Sequence, residues 1–299
     1  MPFYTYDDVL RVFDRVHEMH CDVSEELRGW NWSEPPLTPS YEALINASDI
    51  NFECKTGRIA YLRNYLKVRE IIPEPLSFGA FIHDIVSMAT TQAKSILSNL
   101  RPRSGIQFFK EMMNASQAHE FERLPAEYLK AFRAIWHRAA LTYSSSLDKF
   151  IEISRYLNID GLVSLVVPWI CEYPLDGRRL GLNRAIRVDA LIPPNLLVEF
   201  KTRPAKRSFE TTLAGYALCF ECQFKIPINH GVILYIDFNK SRDSFKVYEK
   251  IVRIDDSLRL EFIEKRDLLA SRASGDVDPG RSDECDLFCP YLGVCRNDG

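Results

Sequence analysis

The chain has 299 residues, 46% of them hydrophobic and 26% charged, with a formal net charge of −3. That length buries a substantial core as one large domain or two small ones, with no low-complexity tract or internal repeat, and the negative balance weighs against a general nucleic-acid binder, since phosphate binding relies on Lys and Arg. The longest uncharged apolar run, Gly161 to Cys171, is too short to cross a bilayer, and MPFYTYDDVL carries acids where a signal peptide would be basic, so a cytoplasmic protein without membrane association is expected.

The elements are predicted in chain order from their periods. Val9, Val12, Phe13, Val16 and Met19 recur at helical spacing, and a loop with Trp30-Asn31-Trp32 and Pro35-Pro36 follows. Ser48 is expected to cap a second helix through Ile50 and Phe52, with Ile59, Leu62 and Leu66 continuing beyond Cys54. Residues 77–99 read as a third helix and 104–158 as further helices rich in aromatic residues. From Leu162 the period changes, and strands are expected at 162–172, 186–192, 196–201, 230–236 and 244–254, with helices at 208–224 and 257–271. This order gives a mixed α/β core behind a helical lobe. The parts are an N-terminal helical segment (1–76), a helix with a helical insertion (77–160), the core (161–272) and a cysteine-bearing tail (273–299) reached through a Gly/Asp/Ser-rich loop.

The stretch RVDALIPPNLLVEFK, 187–201, carries the chemistry. Pro193-Pro194-Asn195 breaks it into a hairpin, with Asn195 suited to a left-handed position. A three-residue loop pairs Ile192 with Leu196 and Leu191 with Leu197, and sets Asp189 opposite Glu199. A two-residue loop would pair Asp189 with Val198 instead. In the first register two carboxylates face each other roughly 5 Å apart at Cβ, which destabilises a sheet unless a cation lies between them. Mg²⁺ or Mn²⁺ takes such oxygen ligands together with water and substrate phosphate, and Lys201, on the same face as Glu199, is placed to position a water. The opposing reading is a solvated edge strand with an ordinary Glu-x-Lys pair. Its place between apolar flanks favours the metal.

Charge is distributed unevenly. Residues 171–210 hold eight basic and five acidic side chains, and the rest of the chain 30 and 36. Phosphate contact is therefore expected from Arg187, Arg203, Lys206 and Arg207. No Gly-x-x-x-x-Gly-Lys-Ser/Thr occurs, so ATP hydrolysis would need another subunit. Of eight cysteines, Cys285, Cys289 and Cys295 lie within eleven residues in ECDLFCPYLGVC, a spacing suited to one metal centre. Cys54, expected at a helix start where the dipole favours thiolate, is the candidate fourth ligand. An iron–sulfur cluster, 4Fe–4S in preference to 2Fe–2S, and a structural Zn²⁺ both suit the set. Either would clip the ends of the chain together. Cys219 and Cys222, a Cys-x-x-Cys within a helix, read as small buried hydrophobes. Cys171 has no assigned role, and Cys21 is a reserve ligand.

In order along the chain, the Cys54 segment, GAFIH (Gly79–His83), LGLNRAIRVDAL, LLVEFKT, TLAGYALCFE and the three-cysteine tail resemble the PD-(D/E)xK nuclease superfamily. Within it they resemble the RecB-like nucleases with a cysteine-bound cluster, above all the CRISPR-associated exonucleases of the Cas-four type in their longer archaeal, subtype A form. The resemblance implies a restriction-endonuclease-like α/β core. It also implies His83 as a further metal ligand, Gly79 allowing its helix close to the sheet, and the Phe200 carbonyl completing the coordination. Asp189 and Glu199 take the acidic roles and Lys201 that of the catalytic lysine. The Gln-x-x-x-Tyr motif falls on Thr212 and Tyr216. Thr replaces Gln, and Tyr216 keeps a role beside Lys201 or against DNA. Two departures are the Cys-x3-Cys-x5-Cys tail, where the usual first gap is two residues, and the 105 residues between His83 and Asp189.

The implied function is a metal-dependent exonuclease acting on single-stranded DNA ends, trimming spacer precursors in CRISPR adaptation beside the integrase proteins. The alternatives are a non-catalytic DNA-binding scaffold of an adaptation complex and the nuclease part of a recombination helicase–nuclease. A homo-oligomer is left open.

Overall fold

A computed structural model describes residues 2–117, 124–153 and 156–297. Helix α1 (Tyr6–Glu18) starts where Thr5 and Asp8 cap each other reciprocally, satisfying backbone donors at the helix start. Short turns follow, among them a 3-10 segment Ala47–Phe52 and the single turn α2 (Arg58–Ala60), which runs into a π-turn at Tyr61–Tyr65. Three long helices build the lobe: α3 (Glu74–Leu100), α4 (Gly105–Gln117) and α5 (Ala126–Phe150). Residues 118–123 and 154–155, inside the stretch expected to be helical from 104 to 158, lie outside the described residues. So do 1, 298 and 299. Then come α6 (Ile159–Val166), β1 (Ile170–Leu175), β2 (Ile186–Ile192), β3 (Leu196–Lys201), α7 (Arg207–Phe224), β4 (His230–Phe238), β5 (Phe245–Arg253), α8 (Asp256–Ser274) and α9 (Leu292–Asn297). No helix among the described residues is long and apolar enough to cross a membrane.

The strands form one mixed sheet in the order β1-β2-β3-β4-β5. All neighbours are antiparallel except β3 and β4, which α7 joins as a parallel crossover. The mixed α/β class agrees with the expectation, as do four of the five strands. Leu191 pairs with Leu197 and Ile192 with Leu196, the register of the three-residue loop.

Four local expectations are corrected. Residues 162–166 belong to α6 rather than to a strand, because the Asn158 side chain accepts the Gly161 amide at 2.7 Å and caps a helix there. Ser48 caps nothing; Asn46 precedes the 3-10 segment without a side-chain bond. Cys54 stands in a turn four residues before Arg58, the first residue of its helix, whose N-cap is the left-handed Gly57, so no helix dipole acts on its sulfur from an adjacent N-terminus. Asn195 is not left-handed; its Nδ2 donates to the Pro227 carbonyl at 2.9 Å, tying the loop to the start of β4.

Each face of the sheet carries its own core. Leu191, Leu197 and Ile233 pack with α7 and α8, while Ala190, Val198, Phe200 and Val232 pack with α3 and α5. The α7–α8 contact depends on a glycine: a Cβ on Gly215 would lie 2.3 Å from Cε2 of the fully buried Phe262. Gly215→Ala should therefore overpack the α7–α8 contact and destabilise by about 1–3 kcal/mol in denaturant titration. A gain from improved helix propensity would show that Phe262 can move aside.

Candidate active site

β2 and β3 meet the helical lobe at one level. The β2–β3 ladder runs regularly from Ile192↔Leu196 to Ala190↔Val198, and one residue further the Asp189 carboxylate takes over: its Oδ2 accepts the Phe200 amide at 2.6 Å. At the same level β1 is distorted. Pairs form at Cys171↔Ala190 and Tyr173↔Val188, but Glu172, between them and across from Asp189, has φ of 52°. A left-handed non-glycine inside a strand is strained, and here it sits beside an acid. The alternation of faces breaks here too, since Val188 joins the α7-side core and Ala190 the α3-side core.

His83 reaches Asp189 from α3. Its Nδ1 lies 2.9 Å from Asp189 Oδ1, and its ring meets Phe200 edge-on at 5.8 Å. Gly79, one turn earlier, makes this approach available, because a Cβ there would lie 3.0 Å from Thr202 Oγ1 at the end of β3. Burial opposes the imidazolium, but the Asp189 charge and hydrogen bond outweigh it and raise the His83 pKa. Burial would likewise raise the Asp189 pKa; His83, Lys201 and the Phe200 amide reverse it and hold it below the ordinary carboxylate value.

Glu199 and Lys201 share the α7 face of β3. Lys201 Nζ donates to Glu199 Oε1 at 2.5 Å and lies 5.0 Å from the Phe209 ring centre. Glu199 Oε2 is buried with no hydrogen-bond partner. Burial first, then the Asp189 charge, raises the Glu199 pKa against the pull of Lys201. Tyr216 stands over the same place from α7, its pKa raised by burial and then by Glu199 and Asp189. Thr212 does not reach the site; its hydroxyl is buried and bonded to Asn51 Oδ1 at 2.8 Å and to the Ser208 carbonyl. His83, Asp189, Tyr216, Glu172 and Arg187 line an open cleft of about 330 Å³.

The basic residues divide. Arg187 is exposed at the cleft, 3.2 Å from Glu172. The other three are engaged elsewhere: Lys206 donates to Asp286 at 2.7 Å, Arg203 lies 3.7 Å from the same carboxylate among the rings of Phe52, Phe209 and Phe288, and Arg207 holds Glu261 and Glu210.

Cys54, Cys285, Cys289 and Cys295 line one small pocket with Phe52, Arg58, Ile59, Leu62 and Tyr291. Burial pushes the Cys289 thiol up to about 12, with the other three sulfurs adding to the rise. Contacts between chain ends surround the pocket: Arg58 grips Asp278 with two bonds, and the Ile71 amide donates to the Pro290 carbonyl at 3.1 Å. Cys219 and Cys222 are buried, as expected of small hydrophobes. Among the described residues, no group of three or more His, Cys, Asp or Glu stands ready-formed to hold a metal ion.

A family model described as CRISPR-associated exonuclease Csa1 matches residues 3–298. The chain belongs to the Csa1 family. A relative from Saccharolobus solfataricus, itself named CRISPR-associated exonuclease Csa1, is 35% identical over 98% of this chain and 99% of its own length. One from Thermoproteus tenax with the same name is 24% identical over 95% of each. No solved structure matches the chain.

Two features of this Csa1-family chain were not anticipated from the sequence. Glu172 had entered only as one acid in a basic segment; its strained backbone at the level of Asp189 has no local sequence signal. Asp286, between two cysteines, accepts from Lys206 and has Arg203 3.7 Å away, a grouping that only the fold brings together.

Proposed function

We propose that this chain is a PD-(D/E)xK nuclease, a metal-dependent exonuclease acting on single-stranded DNA ends in CRISPR adaptation. The observation that carries this reading is the Asp189–Glu199 level of the hairpin: two buried carboxylates that disfavour one another's charge, with Lys201 attached and one Glu199 oxygen buried unbonded. The donor set fits a hard divalent ion, since it offers carboxylate oxygens, the Phe200 carbonyl and the His83 imidazole. Binding through Asp189 Oδ1 would require the His83–Asp189 bond to open, whereas Glu199 Oε2 is available while Oε1 keeps Lys201.

Bound there, Mg²⁺ or Mn²⁺ supplies Lewis acidity and a water acidified toward neutral pH. The chain does the rest. Asp189 stays ionised and fixed by the Phe200 amide. Lys201, held beside Glu199, orients the attacking oxygen and offsets charge gathering on the phosphate, while Arg187 takes a neighbouring phosphate at the rim. Tyr216 bounds the cleft opposite His83. The support for the nuclease assignment beyond this geometry is the family and the printed name of its relatives. Incubating end-labelled single-stranded DNA with the protein and Mn²⁺ tests it: stepwise shortening that chelation abolishes is expected, and no shortening would leave the scaffold reading standing.

The four cysteines suit a 4Fe–4S cluster with a structural task, joining residues 54–71 to the tail. Anaerobic preparations should be brown and hold iron and sulfide, and Cys289→Ala should bleach them and lower the melting temperature. A colourless, zinc-bearing protein would replace the cluster by Zn²⁺.

A further inference from the structure

The β1–β2 connection, residues 176–185, is a fixed ridge between two clefts. On one side Asn183 and Ala185 help line the cleft that holds Asp189 and His83. On the other, Asp176, Arg178 and Arg179 form a second, open cleft of about 570 Å³ with Gln223 and Phe224 of α7. Its backbone is pinned. The Ile45 amide donates to the Gly181 carbonyl at 3.1 Å and the Asn183 amide to the Ile45 carbonyl at 3.0 Å, Leu180 and Leu182 are buried, and a Cβ on Gly177 would lie 2.4 Å from Ile186.

What the ridge presents outward is basic. Arg178, Arg179 and Arg184 are exposed along it, and Arg187 just beyond it on β2. Arg178 is held by Asp176 in a two-pronged pair, Nε to Oδ1 at 3.0 Å and a terminal nitrogen to Oδ2 at 2.6 Å, so Arg179 and Arg184 are the more available cations. The Arg179 guanidinium carbon lies 5.0 Å from the Trp32 ring centre, a cation–π contact that holds the side chain in place. Phe224 is 41% exposed and steadied by Phe220 at 4.7 Å and Tyr173 at 6.1 Å. Arginines alternating with an exposed ring that is braced from behind are what a single strand uses: phosphates on the cations, a base on the π-face. A duplex would leave such a ring no unstacked base. The downstream basic segment is less available, because Lys206 is bonded to Asp286, Arg203 is packed among the rings of Phe52, Phe209 and Phe288, and Arg207 is bonded to both Glu261 and Glu210.

We infer that this second cleft is a distal subsite for single-stranded DNA, in which a strand whose end lies at Asp189 crosses the ridge at Arg184 and stacks a base on Phe224. The inference rests on the nuclease reading for the position of the strand end but not for binding itself. The test is fluorescence anisotropy of the full chain, without added divalent cation, on labelled oligothymidines of about four and about sixteen nucleotides. Phe224→Leu should weaken the long oligomer about tenfold and leave the short one unchanged, and Phe224→Trp should restore it. Arg184→Ala should lower the salt slope of long-oligomer binding by about 0.7, the single-strand value for one phosphate.

Equal binding of the long oligomer by wild type and Phe224→Leu would overturn the inference. So would equal losses on both lengths, failure of Phe224→Trp to restore binding, or no binding by wild type. Equal or tighter binding of the same sequence as RNA would overturn the DNA assignment. A chain that binds through Phe224 yet never shortens DNA would retain this subsite and sink the nuclease reading; shortening without any dependence on Phe224 would do the reverse.

Discussion

Lys201→Ala and Asp189→Asn should each lower Mn²⁺-dependent shortening of end-labelled single strands by about a thousandfold, Asp189→Asn leaving the melting temperature within a few degrees and Lys201→Ala lowering it. The two act on different parts of one site. Asp189→Asn keeps a side chain that can accept the Phe200 amide and contact His83, so the hairpin survives, but it removes the charge that faces the cation. Lys201→Ala deletes the ammonium that pairs with Glu199, leaving a buried carboxylate without that partner. The expected size follows from single-group losses at preorganised polar sites, about 10²–10³, with the metal's own contribution added for Asp189. Effects of groups that act together do not add, so the double variant should be scarcely worse than either single one. Equal cleavage by all three proteins would mean that the activity belongs to a contaminant.

The largest effect on stability is expected away from the cleft. Arg259 is fully buried and donates to both oxygens of Glu221, at 2.7 and 2.9 Å, and to the carbonyls of Leu27, Ile228 and Ile254. Glu221 also accepts from Arg28 and from the amides of Gly29 and Ile228. One ion pair thus ties the turns at 25–31 to α7, α8 and the start of β4. Arg259→Met should cost about 3–5 kcal/mol in denaturant titration, because it leaves a buried carboxylate short of its main partner and three carbonyls without donors. Replacing Glu221 by Leu in the same chain should cost less than the sum of the two single changes. A loss under about 1 kcal/mol for Arg259→Met would show that water replaces the guanidinium.

Much of the site was legible because it rests on period and spacing. Register is counted outward from the loop, so once the loop is three residues long, the level of Asp189 and Glu199 follows, although the break in face alternation at Val188 does not. The Cys tail was legible for the same reason. His83 was not: one histidine among Phe78, Phe81, Ile82 and Ile85 carries no local sign of function, and only the family motif singled it out. The apolar run after Asn158 has the hydropathy of a strand, yet Leu162, Val163 and Val166 fit a helix once Asn158 holds Gly161. Arg203 and Lys206 have the local sequence of phosphate contacts, since Asp286 beside them in the fold lies about eighty residues away in sequence. Strain at Glu172 and the cleft beyond the 176–185 ridge belong to tertiary structure alone.

The proposal that Asp189 and Glu199 hold one shared divalent ion is tested most directly by titrating Mn²⁺ into the wild type, Asp189→Asn and Glu199→Gln, with free Mn²⁺ followed by electron paramagnetic resonance. One ion bound by the wild type and affinity about a hundredfold weaker in each variant is the expected result. Both variants binding Mn²⁺ as tightly as the wild type would contradict it.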